Sequence, residues 1–250
     1  YAAVDAFFAR VAPSKLGTMS TYPIYLRPEL APIIAETPEQ TTWDLPAMRA
    51  GGDALLANPH EADSRVEVSA RGRTFIPADL AEDAPLIISI HGGGYVAGRA
   101  AFDDAKNDEL ATRFGAIVVS PEYRLAPEFP FPIPVDDCIS ALAEALERFG
   151  HERPTFILGD SAGAGLAYSM VSRLCGLGLQ MAQDEAIAAR YKRIASVIRG
   201  IILLEPCVDP TLSTPSSRFF AEGPVWTRRA AAGAWRHYFG VPLDAEVTIP

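Results

Sequence analysis

Five consecutive residues, Gly159-Asp160-Ser161-Ala162-Gly163, carry more structural information than any other part of this sequence. The spacing Gly-x-Ser-x-Gly is typical of a sharp turn between a buried strand and a helix, with the serine at its tip. The backbone is strained at such a serine, and the residues two before and two after it must be nearly free of side chains. Gly159 and Gly163 satisfy this requirement, so this motif, called the elbow below, predicts a nucleophilic Ser161.

The flanks of the elbow have the pattern that such a turn requires. Residues 155–158 form a short, apolar, strand-like run, and apolar residues recur at a helical period between Ala162 and Leu174. A helix that begins at Ser161 directs free backbone N–H groups and its positive dipole end toward a reacting carbon. Small residues also recur at this spacing by chance, but the flanking strand and helix favour the functional interpretation.

A second glycine-rich stretch, called the glycine loop below, follows an apolar run at residues 85–90 and reads His91-Gly92-Gly93-Gly94-Tyr95. Glycines directly after a strand leave backbone N–H groups exposed to whatever binds there. We predict an oxyanion hole made of the N–H groups of these three glycines and of Ala162, and each such donor is worth about 10²–10³ in rate. Phosphate binding is the alternative, but this stretch lacks both the spacing G-x-G-x-x-G and the Lys-Ser/Thr of a P-loop.

The polar residues around these motifs receive supporting roles. We expect His91 to shape the glycine loop through hydrogen bonds and not to act as a base. Asp160 is expected to support the elbow together with its glycines. The proline-rich stretch at residues 123–134 predicts a connecting loop, and we expect its Arg124 and Glu128 to be structural.

Three motifs, in this order, resemble those of one family: HGGGY at 91–95, YRLAPE at 123–128 and GDSAG at 159–163. The chain resembles the hormone-sensitive-lipase-like group of α/β-hydrolase esterases and lipases from about residue 65 onward. The resemblance implies an α/β-hydrolase fold, with a mostly parallel sheet, helices on both faces and a helical cap. It also implies hydrolysis of small-molecule carboxylic esters by a Ser-Asp-His triad. We expect no cofactor and no metal.

The resemblance also suggests how the chain is divided. We expect an N-terminal helical cap region at residues 1–60, and a packed extension is the alternative for it. Residues 61–250 are expected to form the hydrolase core, with a segment at about 208–245 contributing to the cap. Short apolar runs predict about six strands, which include a hairpin at 64–76 and four buried strands at 85–90, 116–120, 155–158 and 199–204. The hairpin is expected to turn at Arg71-Gly72.

The acid and the base of the triad are not found where this fold would supply them. The order in this fold is Ser, then Asp or Glu, then His, and the acid would lie about 95–110 residues after the serine. That position falls beyond Pro250, so we expect the last strands and helices of the fold to be missing and the 250-residue chain to be nearly inactive. Within the chain, the remaining candidate for the acid is Asp209, which follows the last predicted strand, and the remaining candidate for the base is His237, the only histidine after Ser161. A surface or packing role is the favoured alternative for His237.

Composition narrows the class of protein. The chain has 250 residues, of which 49% are hydrophobic, enough for one sizeable core. Its net charge of −9 argues against nucleic-acid binding, and no apolar run approaches the roughly 18 residues of a membrane span.

Three cysteines make a disulfide framework unexpected, and Cys138 and Cys175 are expected to be buried thiols. We expect a cytoplasmic protein, but the chain starts at Tyr1 and not at Met, so secretion stays open. The sequence does not predict the oligomeric state.

We therefore predict a serine hydrolase that cleaves esters with short or medium acyl groups through an acyl-enzyme. Three alternatives stay open: a ligand-binding receptor on the same fold that has lost the catalytic histidine, a truncated pseudoenzyme, and an amide or formamide hydrolase. The intact Ser161 and both glycine motifs favour an enzyme.

Overall fold

A computed structural model of the chain describes residues 32, 44–54, 60–176, 185–215, 217 and 226–241. The chain divides into two compact units. The first contains the sheet and comprises Asp44–Val208 and Arg236–Ala245. The second comprises Tyr1–Trp43, Asp209–Trp235 and Glu246–Pro250. Most of the region expected to form an N-terminal cap lies outside the described residues, so this expectation stays a prediction.

Strands alternate with helices along the described residues. The strands are β1 (Arg65–Ser69), β2 (Gly72–Ile76), β3 (Leu86–Ile90), β4 (Ile117–Pro121), β5 (Thr155–Asp160) and β6 (Ile198–Leu204). The helices are α1 (Leu45–Ala54), α2 (Asp104–Phe114), α3 (Ile133–Phe149), α4 (Ala162–Leu174), α5 (Glu185–Val197) and α6 (Arg228–Phe239). A short 3-10 helix, Ala100–Asp103, precedes α2.

The strands form one mixed sheet in the order β1-β2-β4-β3-β5-β6. The hairpin strands β1 and β2 are antiparallel, and β2 pairs antiparallel with β4, whereas β4, β3, β5 and β6 run parallel. Ile90, the last residue of β3, pairs with Gly159 near the end of β5. The glycine loop and the elbow therefore leave the sheet side by side, which confirms the predicted α/β architecture and juxtaposes the two motifs.

Both faces of the sheet are covered. On one face, Phe75 and Val118 are fully buried and pack in one cluster with Ala111 of α2. Side chains alternate along a strand. The residues of β3 on either side of the one that pairs with Val118 therefore point to the opposite face. There Leu86 and Ile88 are also fully buried. Burial on both faces is what near-continuous apolar strands predict.

Two details of the sequence-based prediction are wrong. Ser69 pairs with Gly72, so the hairpin turns at Ala70-Arg71 and not at Arg71-Gly72. Gly72 opens β2 with φ of 134°, and a Cβ there would lie 2.9 Å from the backbone nitrogen of Glu122. It is glycine because of this close approach, and not because it forms the turn.

The second correction concerns the cysteines. Cys138 on α3 is buried as expected, but Cys175 is exposed. Cys175 follows the last residue of α4, so it lies past the apolar face that the helical period had suggested.

Over the described part of the chain, each helix is too short or too polar to cross a lipid bilayer.

β6 lies at one edge of the sheet among the described strands. Its apolar residues Ile201, Ile202 and Leu204 are exposed, as are Val208 after the strand and Ile187 on α5. Among the described strands, β6 therefore presents exposed apolar side chains at an edge of the sheet.

Candidate active site

Ser161 lies at the junction of β5 and α4 in a strained conformation, with φ of 52° and ψ of −115°. Few non-glycine residues adopt a positive φ, and they do so only where surrounding contacts hold them. The Ser161 carbonyl accepts hydrogen bonds from the N–H groups of Ala164 (3.1 Å) and Gly165 (3.2 Å), which begin α4. Its own N–H donates to the carbonyl of Leu204 at the end of β6 (2.8 Å). The serine is thus fixed from the helix side and from the sheet side.

The elbow glycines are required by their surroundings. A Cβ at Gly159 would overlap the carbonyl oxygen of Gly163 and the Cα atom of Ala164. A Cβ at Gly163 would overlap the carbonyl oxygens of Ile90 and His91. The structure therefore has the close backbone approach that the motif predicts, and a side chain at either glycine would collide with backbone atoms.

The glycine loop lies directly against the elbow. A Cβ at Gly92 would lie 3.1 Å from the Asp160 carbonyl oxygen and 3.3 Å from Ser161 Cβ. After Gly92 the backbone turns, with positive φ values of 121° at Gly93, 61° at Gly94 and 67° at Tyr95. The N–H groups of the three loop glycines and of Ala162 donate to no other residue that the structure describes. Four backbone N–H groups without an acceptor among the described residues therefore lie in the loop packed against Ser161 and at the residue that follows it.

His91 is buried beneath the glycine loop. Its Nδ1–H donates to the carbonyl of Gly92 at 2.8 Å, and its ring stacks on Tyr123 with centroids 4.1 Å apart. Burial lowers the pKa of His91 to about 4, so the ring is neutral near pH 7. Its Nε2 atom is buried and has no partner among the described residues. This is the geometry that a loop-shaping role requires, and the role itself stays a prediction.

One residue close to Ser161 was missed by the sequence analysis. Cys207 Sγ lies 3.7 Å from Ser161 Oγ, within the hydrogen-bonding range of sulfur. Its N–H donates to the Ser161 carbonyl (3.2 Å), and its own carbonyl accepts from Tyr95 Oη (2.8 Å). Burial raises the pKa of the Cys207 thiol, and the hydrogen bond with Ser161 opposes that shift. The signal available in the sequence was that Cys207 follows the last predicted strand, at 199–204.

The acid and base of the predicted triad do not accompany the serine in the described residues. There, Cys207 Sγ is the hydrogen-bonding neighbour of Ser161 Oγ. His237 is half-buried on α6, and its pKa is lowered by burial, with an opposing effect of Glu128. The Asp209 carboxylate accepts hydrogen bonds from Thr211 Oγ1 and the Thr211 N–H, which lower its pKa. Both residues stay candidates from the sequence alone.

The charged residues after Tyr123 are engaged in ion pairs. Arg124 donates to both oxygens of Asp137, at 2.9 and 2.7 Å. Glu128 accepts from Arg49 of α1 at 2.9 and 2.8 Å. These contacts favour the expected structural roles. Asp160 of the elbow is solvent-accessible, and its Oδ2 lies 4.0 Å from Lys106 Nζ.

Among the described residues, no group of three or more His, Cys, Asp or Glu side chains is arranged so that it could hold a metal ion. The site described above consists of a strained serine hydroxyl beside backbone N–H groups that have no acceptor among the described residues.

A family model described as the alpha/beta hydrolase fold matches residues 87–249, so the chain belongs to the α/β-hydrolase fold family. Relatives narrow this to the hormone-sensitive-lipase-like esterase group, as the motifs had indicated. Arylacetamide deacetylase from Oryctolagus cuniculus is 30% identical over 158 residues, which cover 60% of this chain and 36% of that protein. Hormone-sensitive lipase from Homo sapiens is 30% identical over 139 residues, which cover 52% of this chain and 13% of the lipase.

Solved structures agree with this assignment. A bacterial heroin esterase superposes with a TM-score of 0.72 at 33% identity, over 88% of this chain and 70% of the esterase. The match spans well under half the length of both curated relatives, at 36% and 13%.

Proposed function

We propose that this protein is a serine hydrolase that cleaves small-molecule carboxylic esters, with Ser161 as the nucleophile. One observation carries the proposal: a strained serine at a strand–helix turn lies beside four backbone N–H groups that have no acceptor among the described residues. Strain at a functional residue persists only where the structure holds it, as the hydrogen bonds to Leu204 and from α4 do here. Such a site is suited to acyl transfer.

In the proposed mechanism, Ser161 Oγ attacks the ester carbonyl carbon and forms a new C–O bond. The carbonyl oxygen becomes an oxyanion, which accepts hydrogen bonds from N–H groups of the glycine loop and of Ala162. Collapse of this intermediate breaks the bond to the alcohol and leaves an acyl-enzyme, which water then hydrolyses. A base must take the Oγ proton, and the described residues place none in hydrogen-bond contact with Ser161.

His91 is not that base in our proposal. Its Nδ1 is committed to the Gly92 carbonyl, and its Nε2 is buried. A neutral ring at pH 7 keeps the loop free of a positive charge while it fixes the direction of the Gly92 carbonyl. We assign His91 a positioning role in the glycine loop.

We propose substrates with short or medium acyl groups. The name of the relative arylacetamide deacetylase indicates removal of an acetyl group from an amide. That name also supports amide hydrolysis as a second candidate, because attack at an amide carbonyl uses the same nucleophile and oxyanion donors.

A fluorophosphonate probe tests the nucleophile directly. The protein, expressed from its complete coding sequence, is incubated with the probe, and the adduct is located by peptide mass spectrometry. We expect labelling at Ser161. Ser161→Ala should abolish labelling and lower the rate of p-nitrophenyl acetate hydrolysis by about 10⁴–10⁶.

Ser196→Ala, at an exposed position on α5, is the matched control and should leave both readouts unchanged. Labelling at another residue, or esterase activity retained in Ser161→Ala, would contradict the proposal. The ratio of ester to matched amide hydrolysis decides between the two candidate substrate classes.

A further inference from the structure

We propose that Cys207 is a specificity-determining residue whose thiol limits the size of the acyl group that Ser161 accepts. This inference rests on the proposed function, because it concerns the ester bound at Ser161. Its basis is the contact of 3.7 Å between Cys207 Sγ and Ser161 Oγ, together with the position of the segment that follows β6.

The sheet order places Cys207 and the glycine loop on opposite sides of the nucleophile. β5, which carries the elbow, lies between β3 and β6. The glycine loop continues from β3, and the segment with Cys207 continues from β6. Ser161 is therefore flanked by a glycine on one side, with Gly92 against its Cβ, and by a thiol on the other.

This arrangement restricts which parts of a bound ester can meet the thiol. In the tetrahedral intermediate the oxyanion must point to the backbone donors of the glycine loop and of Ala162. The remaining substituents of the same carbon then point away from the loop, toward the side where Cys207 lies. We assign the acyl chain to that side, so each methylene of the acyl chain competes with the thiol for space.

The segment that carries Cys207 is held too firmly to move aside. Its N–H donates to the Ser161 carbonyl, and its carbonyl accepts from Tyr95 Oη. Tyr95 reaches this carbonyl across Gly165, where a Cβ would overlap both Tyr95 Oη and the Cys207 carbonyl oxygen. Burial raises the pKa of Tyr95 well above its ordinary value, so the hydroxyl stays protonated and continues to donate. Because the backbone is tied at both its N–H and its carbonyl, the volume of the side chain determines the space beside Oγ.

The test varies the acyl chain while the leaving group stays constant. p-Nitrophenyl acetate, butyrate and hexanoate are hydrolysed by the wild type, Cys207→Ala and Cys207→Leu, each expressed from the complete coding sequence. One methylene in an apolar pocket changes kcat/KM by about 10–200-fold. We therefore expect the hexanoate-to-acetate ratio of kcat/KM to rise at least about tenfold in Cys207→Ala and to fall by a similar factor in Cys207→Leu.

A reversible chemical arm avoids any doubt about folding of the leucine variant. In a Cys175→Ser background, methyl methanethiosulfonate converts the Cys207 thiol to a methyl disulfide, with release of methanesulfinate. This added group should lower the hexanoate-to-acetate ratio, and dithiothreitol should restore it. Cys175 is exposed and Cys138 is buried, so Cys175→Ser alone should leave the ratio unchanged and removes the other accessible thiol.

Two failures are distinguishable. If Ser161 reacts with the fluorophosphonate probe and esters are hydrolysed, but the ratio stays within about twofold across all Cys207 variants, this inference is overturned and the proposed function stands. If neither the wild type nor any variant is labelled at Ser161 or hydrolyses an ester, both are overturned.

Discussion

The elbow and the glycine loop lie at the ends of neighbouring strands and both depend on glycine, but for different reasons. In the elbow, Gly159 and Gly163 have ordinary φ values and are glycine because a Cβ would overlap backbone atoms. In the glycine loop, Gly93 and Gly94 have φ values of 121° and 61°, which side chains disfavour. The strained residue of the elbow is instead Ser161, whose side chain the chemistry needs.

The glycines of the elbow allow close packing, whereas those of the glycine loop set the direction of hydrogen-bond donors. The elbow glycines let α4 approach the end of β3, so a side chain there disturbs the sheet–helix contact that the fold depends on. The loop glycines set the direction of N–H groups that donate to no described residue. A side chain in the loop should therefore affect catalysis more than folding.

The largest effect is expected from Gly163→Ala. Its Cβ would overlap the carbonyl oxygens of Ile90 and His91, and these atoms cannot retreat without disturbing β3 next to its pairing with β5. We expect the free energy of unfolding to fall by about 4 kcal/mol or more, which urea denaturation followed by circular dichroism measures.

Gly115→Ala is the matched control for this clash. Gly115 has φ of 59° and open space around the position of a Cβ, so only backbone strain is added. That strain costs about 1–2 kcal/mol. If Gly163→Ala costs no more than Gly115→Ala, the close approach at the elbow is not what requires glycine.

Gly93→Ala should act mainly on the transition state. A Cβ would overlap the Ala97 carbonyl oxygen, and the alanine would have to adopt a φ of 121°. The loop backbone must therefore shift. We expect kcat for p-nitrophenyl acetate to fall by about 10²–10³ with little change in KM, the effect of losing one oxyanion donor. A decrease confined to kcat/KM through a higher KM would show that the loop binds substrate without stabilising the oxyanion. Urea denaturation of the variant checks that the fold survives.

The sequence predicted most of this framework because it depends on local patterns. Continuous apolar runs identified the strands, and the elbow glycines followed from spacing alone. Cys207 was not predicted, since its contact with Ser161 depends on β6 lying beside β5 and on how the chain turns after β6. The exposure of Cys175 was also missed, because a period of apolar residues does not reveal at which residue a helix ends.

The protonation of His91 links the free energy of unfolding of the protein to pH. Its pKa is lowered by burial to about 4, against about 6.5 in an unfolded chain. A lowered folded-state pKa contributes stability that is complete above pH 6.5 and is lost as the pH falls toward 4. We expect this residue to remove about 3 kcal/mol of unfolding free energy across that interval.

His91→Gln isolates this contribution, because the other titrating groups are common to both proteins. Urea denaturation at several values between pH 7 and pH 4 should give a flatter dependence for the variant. Parallel curves for the two proteins would mean that the folded protein protonates His91 without cost.

The smallest effect concerns Tyr95, which joins the glycine loop to the segment beside the elbow. Tyr95→Phe keeps the ring that stacks on Tyr238 at 4.1 Å but removes the hydroxyl that donates to the Cys207 carbonyl. A single hydrogen bond to a partly buried carbonyl contributes about 0.5–1.5 kcal/mol, which corresponds to a decrease in Tm of about 1–6 °C for a domain of this size. Tyr168→Phe, at an exposed position on α4, should change Tm much less. If Tyr95→Phe leaves Tm unchanged but alters the acyl-chain preference, the hydroxyl serves to place Cys207 and contributes nothing to holding the two regions together.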